Sequence, residues 1–245
     1  MYTWKMVLIG MEENGDRRSM MTERVVVSWS GGKDSALALY QMLHNPDVSV
    51  KGLLSTVSAA SRRLPVHEVR TEWMRRQAQT LRMHLYEVDL PDQASNLQYE
   101  QVLRKQAEKL RDADISVMVY ADLFLQDIKD YRLQLMDRIG MKGLFPLWNQ
   151  PTQETAETFI QLGFKSIVTT VDTGVLPEEY AGRAFNVDFL KDLPQGVDAC
   201  GENGEFHTFV YDGPCFIHGL PVKAGSRFTS FDGRFAHVEL EESHE

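Results

Sequence analysis

The stretch Val25–Tyr40 constrains the chain more than any other. Three valines, Val25 to Val27, run into Ser28 and Trp29, the signal of a short buried strand. Ser30-Gly31-Gly32-Lys33-Asp34-Ser35 follows, and then Ala36, Leu37, Ala38, Leu39, Tyr40, Met42 and Leu43 continue as good helix formers. A strand, a glycine turn and a helix start aim backbone N–H groups and the positive end of a helix dipole at one point. An anion, usually a phosphate, is stabilised there. With Lys33 as its lysine, a Walker A loop would need Gly at Val27 and Ser or Thr at Asp34, so that loop is excluded. No G-x-G-x-x-G occurs, which excludes the Rossmann fingerprint.

The string Ser30–Ser35 resembles the PP-loop of ATP pyrophosphatases, enzymes that split ATP into AMP and pyrophosphate. The residue types suit that chemistry. Gly31 and Gly32 let the backbone approach the β- and γ-phosphates. Ser30 and Ser35 offer hydroxyls, Lys33 can stabilise the leaving pyrophosphate, and Asp34 can hold Mg²⁺ directly or through water.

Alternation of strands and helices extends this unit. After the turn at Asn45-Pro46-Asp47, Val48–Val57 reads as a second strand ending in Ser55, Thr56 and Ser58. Strand C-terminal ends face the ligand crevice of an open parallel sheet, so these hydroxyls are expected near the adenosine. His67–Arg82 reads as a helix with Val69, Trp73, Ala78 and Leu81 on one face, and His67 and Glu68 begin it. Leu85–Asp89 is a strand, Leu97–Leu110 a helix, Ile115–Ala121 a strand ending at Asp122, and Asp127–Gly140 a helix. A soft boundary falls near Gly140–Gly143. Beyond it lie a short apolar Leu144–Trp148, a helix from Pro151 to Leu162, a strand Ser166–Val171, and β-type segments at Phe206–Tyr211, Arg227–Phe231 and Phe235–Leu240. The expected architecture is α/β: a doubly wound, mostly parallel sheet with a smaller mixed α/β C-terminal domain. The domains read as 24–140 for phosphate binding, 141–240 for the substrate, and an extension of unknown role over 1–23.

Composition narrows the function classes. The net charge of −9 over 245 residues and a pI near 5.3 argue against a general nucleic-acid surface. Two cysteines, Cys200 and Cys215, form neither C-x-x-C nor a zinc pattern, which fits a reducing, cytoplasmic setting. No apolar run approaches the ~18 residues of a membrane span.

A second constellation lies at Asp198–Pro214. Gly201 and Gly204 permit tight turns, and Glu202 and Glu205 flank Asn203-Gly204 ahead of His207 and Thr208. No second His or Cys stands at zinc spacing from His207, so zinc is disfavoured.

In chain order come the glycine loop, Asp122 with Arg132, Pro146–Trp148, Ala181–Arg183 and Cys200–Pro214. That succession resembles the diphthine–ammonia ligase family, the N-type ATP pyrophosphatases, over about Val25–Phe216. The resemblance implies an adenine nucleotide α-hydrolase-like fold with ATP and Mg²⁺. The implied reaction adenylates a carboxylate and lets ammonia displace AMP. Diphthine, a modified histidine of elongation factor 2, is the family's acceptor. Glu202 or Glu205 would orient ammonium or take its proton. Asp122 would bind Mg²⁺ or a ribose hydroxyl, and Arg183 a phosphate or the adenylate. Asn203, Gly204, His207 and Thr208 would face the acceptor. In archaeal and eukaryotic relatives the motif resembles Gly-Glu-Gly-Gly-Glu-x-Glu-Thr. Here Asn203 replaces a glycine and His207 an acid, as in the shorter bacterial branch, whose hosts do not make diphthamide. The ATP chemistry therefore carries over better than the acceptor. Two other readings stay open: a nucleotide-binding module without turnover, and a tRNA-modifying enzyme with Cys200 as its thiol. The C-terminal strands would serve as a lid or an interface, with a homodimer among the options.

Overall fold

The computed structural model describes residues 22–91 and 93–243; the extension expected over 1–23 lies, up to position 21, outside the described residues. The first sheet is built from β1 (Glu23–Ser28), β2 (Val48–Ser58), β3 (Leu85–Leu90), β4 (Val117–Val119) and β5 (Lys142–Leu144). All pairings are parallel and the spatial order is β3-β2-β1-β4-β5. The helices between them are α1 (Lys33–Leu43), α2 (Thr71–Thr80), α3 (Asn96–Asp112) and α4 (Gln126–Arg138). The valine run of β1 occupies the centre because both faces of that strand are covered. Val25 and Val27 pack with residues of α1 and α2, and Val26 packs with residues of α3 and α4. This is the doubly wound parallel α/β arrangement.

The C-terminal unit carries α5 (Thr152–Gln161), β6 (Lys165–Asp172), a 3₁₀ turn at Glu178–Tyr180, α6 (Val187–Asp192), β7 (Phe206–Asp212), β8 (Val222–Ser230) and β9 (Phe235–Glu242). Its four strands form an antiparallel sheet in the order β7-β6-β9-β8. The two units share one apolar core. Phe159, Phe185, Phe206 and Phe209 belong to the same buried cluster as Val25 and Leu37. The seam is also polar: Trp73 Nε1 donates to Leu240 O at 3.1 Å, and Arg63 pairs with Glu239.

Several boundaries differ from the sequence reading. The helix expected from His67 starts at Thr71, because Val66 and Glu68 have φ of +69° and +54°, which no α-helix accommodates. His67 and Glu68 therefore sit in a turn closed by Leu64 and Val69. Only Val117–Val119 of the expected strand 115–121 is paired, and β5 joins the first sheet as Lys142–Leu144, ahead of the apolar Pro146–Trp148. The strand expected at Arg227–Phe231 begins at Val222 and ends at Ser230, since Phe231 and Asp232 turn with positive φ.

Candidate active site

The glycine loop sits at the C-terminal end of β1 and opens directly into α1. Gly31 has φ +73°, and a Cβ there would lie 2.6 Å from Gln77 Oε1, so both the conformation and the space require glycine. Gln77, fully buried on α2, clamps the loop. Its Nε2 donates to Gly31 O at 2.9 Å and to Val210 O at 2.6 Å, while its Oε1 accepts from Trp29 Nε1 at 3.0 Å. Sequence reasoning missed this residue. The available signal was a glutamine four positions after Trp73 on the apolar face of α2. Ser55, also buried, donates to Trp29 O at 2.6 Å and so supports the loop from behind. Gly32 is the N-cap of α1, and the Lys33 N–H donates to Thr208 Oγ1 at 3.0 Å. A hydroxyl from β7 thus takes one of the unpaired amides of the helix start.

The Asp198–Thr208 segment is folded by its own carboxylates. Asp198 Oδ1 accepts from the Cys200 and Glu202 amides at 2.9 and 3.1 Å, and Thr152 Oγ1 donates to its Oδ2 at 2.5 Å. Glu205, buried, accepts from the Asp198 and Asn203 amides at 3.1 and 2.9 Å and from Asn203 Nδ2 at 2.8 Å. Gly201 has φ +67°, and a Cβ there would meet Phe206 O at 2.7 Å. The turn docks on the first unit through Glu202, whose Oε1 accepts from the Leu123 amide at 2.8 Å, and through Lys33, whose ammonium donates to Cys200 O.

These two loops enclose a cavity of about 350 Å³. Ser30, Gly32, Lys33, Asp34 and Ser35 line it from the glycine loop, and Asp122 from the end of β4. Glu202, His207 and Thr208 line it from the C-terminal unit. Tyr99, Tyr120, Arg132 and His67 also line it; His67 was expected to face the crevice or to be a structural histidine, Arg132 was read only as part of the motif with Asp122, and neither tyrosine was read as a contact residue from sequence. Arg132 Nε lies 2.7 Å from Asp122 Oδ2, angled so that neither atom has a hydrogen bond. Its guanidinium also stacks 4.3 Å over the Tyr120 ring.

Five of the expected site residues are not brought to the cavity wall. Gly31 and Ser55 support the loop, Glu205 is spent inside its own turn, and Asn203 and Gly204 lie on that turn's outer side. Arg183 is a sixth and lies elsewhere. It pairs with Asp192 at 2.6 Å and borders a separate surface recess with Arg227. The cause is backbone pairing: Arg183 O accepts from Val168 N at 2.9 Å and ties this segment to β6.

The electrostatics of the cavity are uneven. Burial opposes the charge of Lys33 most strongly, but Asp34, 2.8 Å away, together with Cys200 and Glu202 outweighs it and holds the ammonium above its ordinary value. Burial pushes the Glu202 carboxyl up to about 7, with Asp34 and Asp122 adding to the shift against the Leu123 amide. Burial also drives the His67 and His207 imidazoles down, His67 to about 4, and the nearby Lys33 charge adds to this. The Cys200 thiol is buried, donates to Thr152 O at 3.2 Å, and is pushed far up by burial. Crowded carboxylates beside a phosphate-type loop are suited to a hard divalent cation. Asp34 would hold Mg²⁺, which takes its other ligands from phosphate and water. No cluster of three protein ligands occurs among the described residues.

A parallel sheet with a glycine loop and a helix start at the mouth of a two-unit crevice defines a doubly wound α/β protein whose loop is suited to an anion. Comparison with protein families then narrows the class. The diphthamide synthase N-terminal domain matches residues 23–143 and the diphthamide synthase C-terminal domain matches residues 151–243; the chain belongs to this family. A Danio rerio protein named diphthine–ammonia ligase is 25% identical over 239 residues, covering 88% of this chain and 92% of that protein. The Bos taurus protein of the same name is 27% identical over 120 residues, 46% of this chain and 45% of that protein.

Proposed function

We propose that the chain is an ATP-dependent ligase that releases AMP and pyrophosphate, adenylating a carboxylate and amidating it with ammonia. The observation that carries this reading is the meeting of Lys33, Asp34 and Glu202 around one cavity. Holding a nucleotide does not require that set. In the proposed reaction the acceptor carboxylate attacks the α-phosphorus of ATP and pyrophosphate leaves. Ammonia then attacks the acyl carbon, AMP departs, and one proton is released. Lys33 and the α1 start stabilise the charge developing on the leaving pyrophosphate. Mg²⁺ on Asp34 would neutralise part of the same charge. Glu202, poised near neutrality, accepts the proton as ammonium becomes nucleophile. Asp122 and Arg132 orient the nucleotide or the acceptor beside Tyr99 and Tyr120.

Diphthine appears in the relatives' name, and a diphthine-like acceptor is one form of this proposal. The buried, raised thiol of Cys200 argues against a thiol-transfer reading. No helix among the described residues is long and apolar enough to cross a membrane.

The test is product analysis. The protein is incubated with ATP, Mg²⁺, ammonium and a carboxylate-containing extract of its own source. Ammonium-dependent release of AMP and pyrophosphate is expected. ATP binding without cleavage, or release of ADP alone, would replace the ligase with a nucleotide-binding module.

A further inference from the structure

Beside the glycine loop, the cavity holds a feature that the reaction above leaves unused. His67, from the turn before α2, faces His207 of β7, with ring centroids 4.3 Å apart and planes tilted by 37°. The two come from different units and both line the cavity. His67 Nδ1 is buried and has no hydrogen-bond partner. A third histidine nearby shows what a satisfied one looks like. His237 of β9 has Thr170 Oγ1 at 2.9 Å from Nδ1 and Ser230 Oγ at 2.8 Å from Nε2. That same Thr170 hydroxyl donates to His67 O at 3.2 Å, so the turn carrying His67 is fixed while its ring is left free.

We propose that His67 and His207 form a second anchor for phosphate oxygens, gripping the pyrophosphate portion of the nucleotide from the side opposite its contact with the loop amides. This rests on the ATP-ligase reading. Each neutral imidazole offers one N–H donor. Thr208, next to His207, already touches the Lys33 amide at the start of α1, so the pair stands beside the helix end that attracts anions. The charged and titratable groups that bear on the pair are Lys33 from α1 and His237 from β9. Of these only the Lys33 ammonium carries charge, because burial drives His237 down to about 4, and the corner is suited to a negative group. An acyl-acceptor carboxylate shares the oxygen chemistry of pyrophosphate, and the assay separates the two.

The assay is calorimetric titration of the full chain with inorganic pyrophosphate, and separately with AMP and with acetate. Wild type, His67→Leu, His207→Leu and His207→Glu are compared, with thermal unfolding confirming that each variant is folded. Pyrophosphate affinity is expected to fall about tenfold in either Leu variant, the loss of one charge-assisted bond. It falls further in His207→Glu, while AMP affinity holds. Unchanged pyrophosphate affinity in all three variants would overturn the anchor, as would no measurable pyrophosphate binding by wild type. Histidine-dependent acetate binding without pyrophosphate dependence would hand the corner to the acceptor and overturn it too. Wild type that forms AMP while the variants bind pyrophosphate normally sinks the anchor alone. Wild type that neither binds ATP nor forms AMP sinks the ligase reading and the anchor together.

Discussion

The glycine loop and the Asp198–Thr208 turn meet at the same cavity, yet they commit their charged residues differently. In the glycine loop, the residues that shape the turn and the residues that face the ligand are adjacent and separate: Gly31 is fixed by Gln77, and Lys33 and Asp34 face the crevice. In the second segment, carboxylates do both jobs. Asp198 and Glu205 are each consumed by three donors within the described residues, whereas Glu202 accepts from the Leu123 amide and faces the cavity. Two glutamates three positions apart are thus equal in sequence and unequal in role. The number of fixed donors already bound to a carboxylate decides how much of it is left for chemistry.

The largest effect is expected at Lys33. Lys33→Met keeps the buried stem but removes the charge that docks Cys200 O and that, in the proposed reaction, stabilises pyrophosphate. AMP formation should fall by about a hundredfold or more. The measurement is initial-rate AMP release by a variant shown by circular dichroism to be folded. Near-normal turnover would mean that the lysine only docks the second loop.

Glu205 sharpens the contrast from the other side. Glu205→Ala leaves the partly buried Asp198 and Asn203 amides without their charged acceptor and should cost roughly 1–3 kcal/mol of stability. Glu205→Gln, which keeps one acceptor oxygen, should cost less. Urea unfolding of both variants measures this. Full stability with a lost amidation step would move Glu205 into the chemistry and erase the difference between the two glutamates.

Glu202 gives a pH signature that Glu205 should lack. Its carboxyl is held near 7, against an ordinary value of 4.5, chiefly by burial. Between those values the folded chain binds a proton that the unfolded chain has lost. Stability from this group therefore falls as pH rises from about 4.5 to about 7 and is level above that. Activity should move the opposite way, rising through neutrality as the proton-accepting carboxylate forms. Glu202→Gln should flatten both curves. A pH–rate profile that is the same in wild type and Glu202→Gln would remove Glu202 as the proton acceptor.

What could be read from sequence follows the same division. The loop at 30–35 was legible because its strand, turn and helix are local, and valines and glycines carry local rules. The parallel sheet was legible from alternation, which needs no long-range knowledge. The cavity's other wall was legible only in part: His67 could be placed toward the crevice, but Tyr99 and Tyr120 come from separate segments that only the packed sheet brings together. His67 was also misread as helical, since the positive φ of Val66 and Glu68 falls on residues that seldom adopt it. Glu205 could not be told from Glu202 without the hydrogen bonds of the turn. Gln77 looked like one polar interruption of an apolar face, and its three bonds became visible only once β7 lay against the loop.

Arg183 tests the smallest difference, between a charged residue on a motif and one at the site. Its guanidinium stacks 4.8 Å over Tyr180 and pairs with the exposed Asp192. An exposed ion pair of this kind is worth little, so Arg183→Ala should cost less than about 1 kcal/mol. The KM for ATP should be unchanged, because the side chain borders a recess separate from the cavity. Steady-state kinetics over a range of ATP concentrations, with a melting curve for the same variant, decides the matter. A raised KM with an unaltered melting curve would mean that a substrate group reaches Arg183 and that the second recess belongs to the reaction. An unaltered KM with a lowered melting curve would leave Arg183 as a strap that holds α6 against β6. The functional surface would then be confined to the cavity between the two loops.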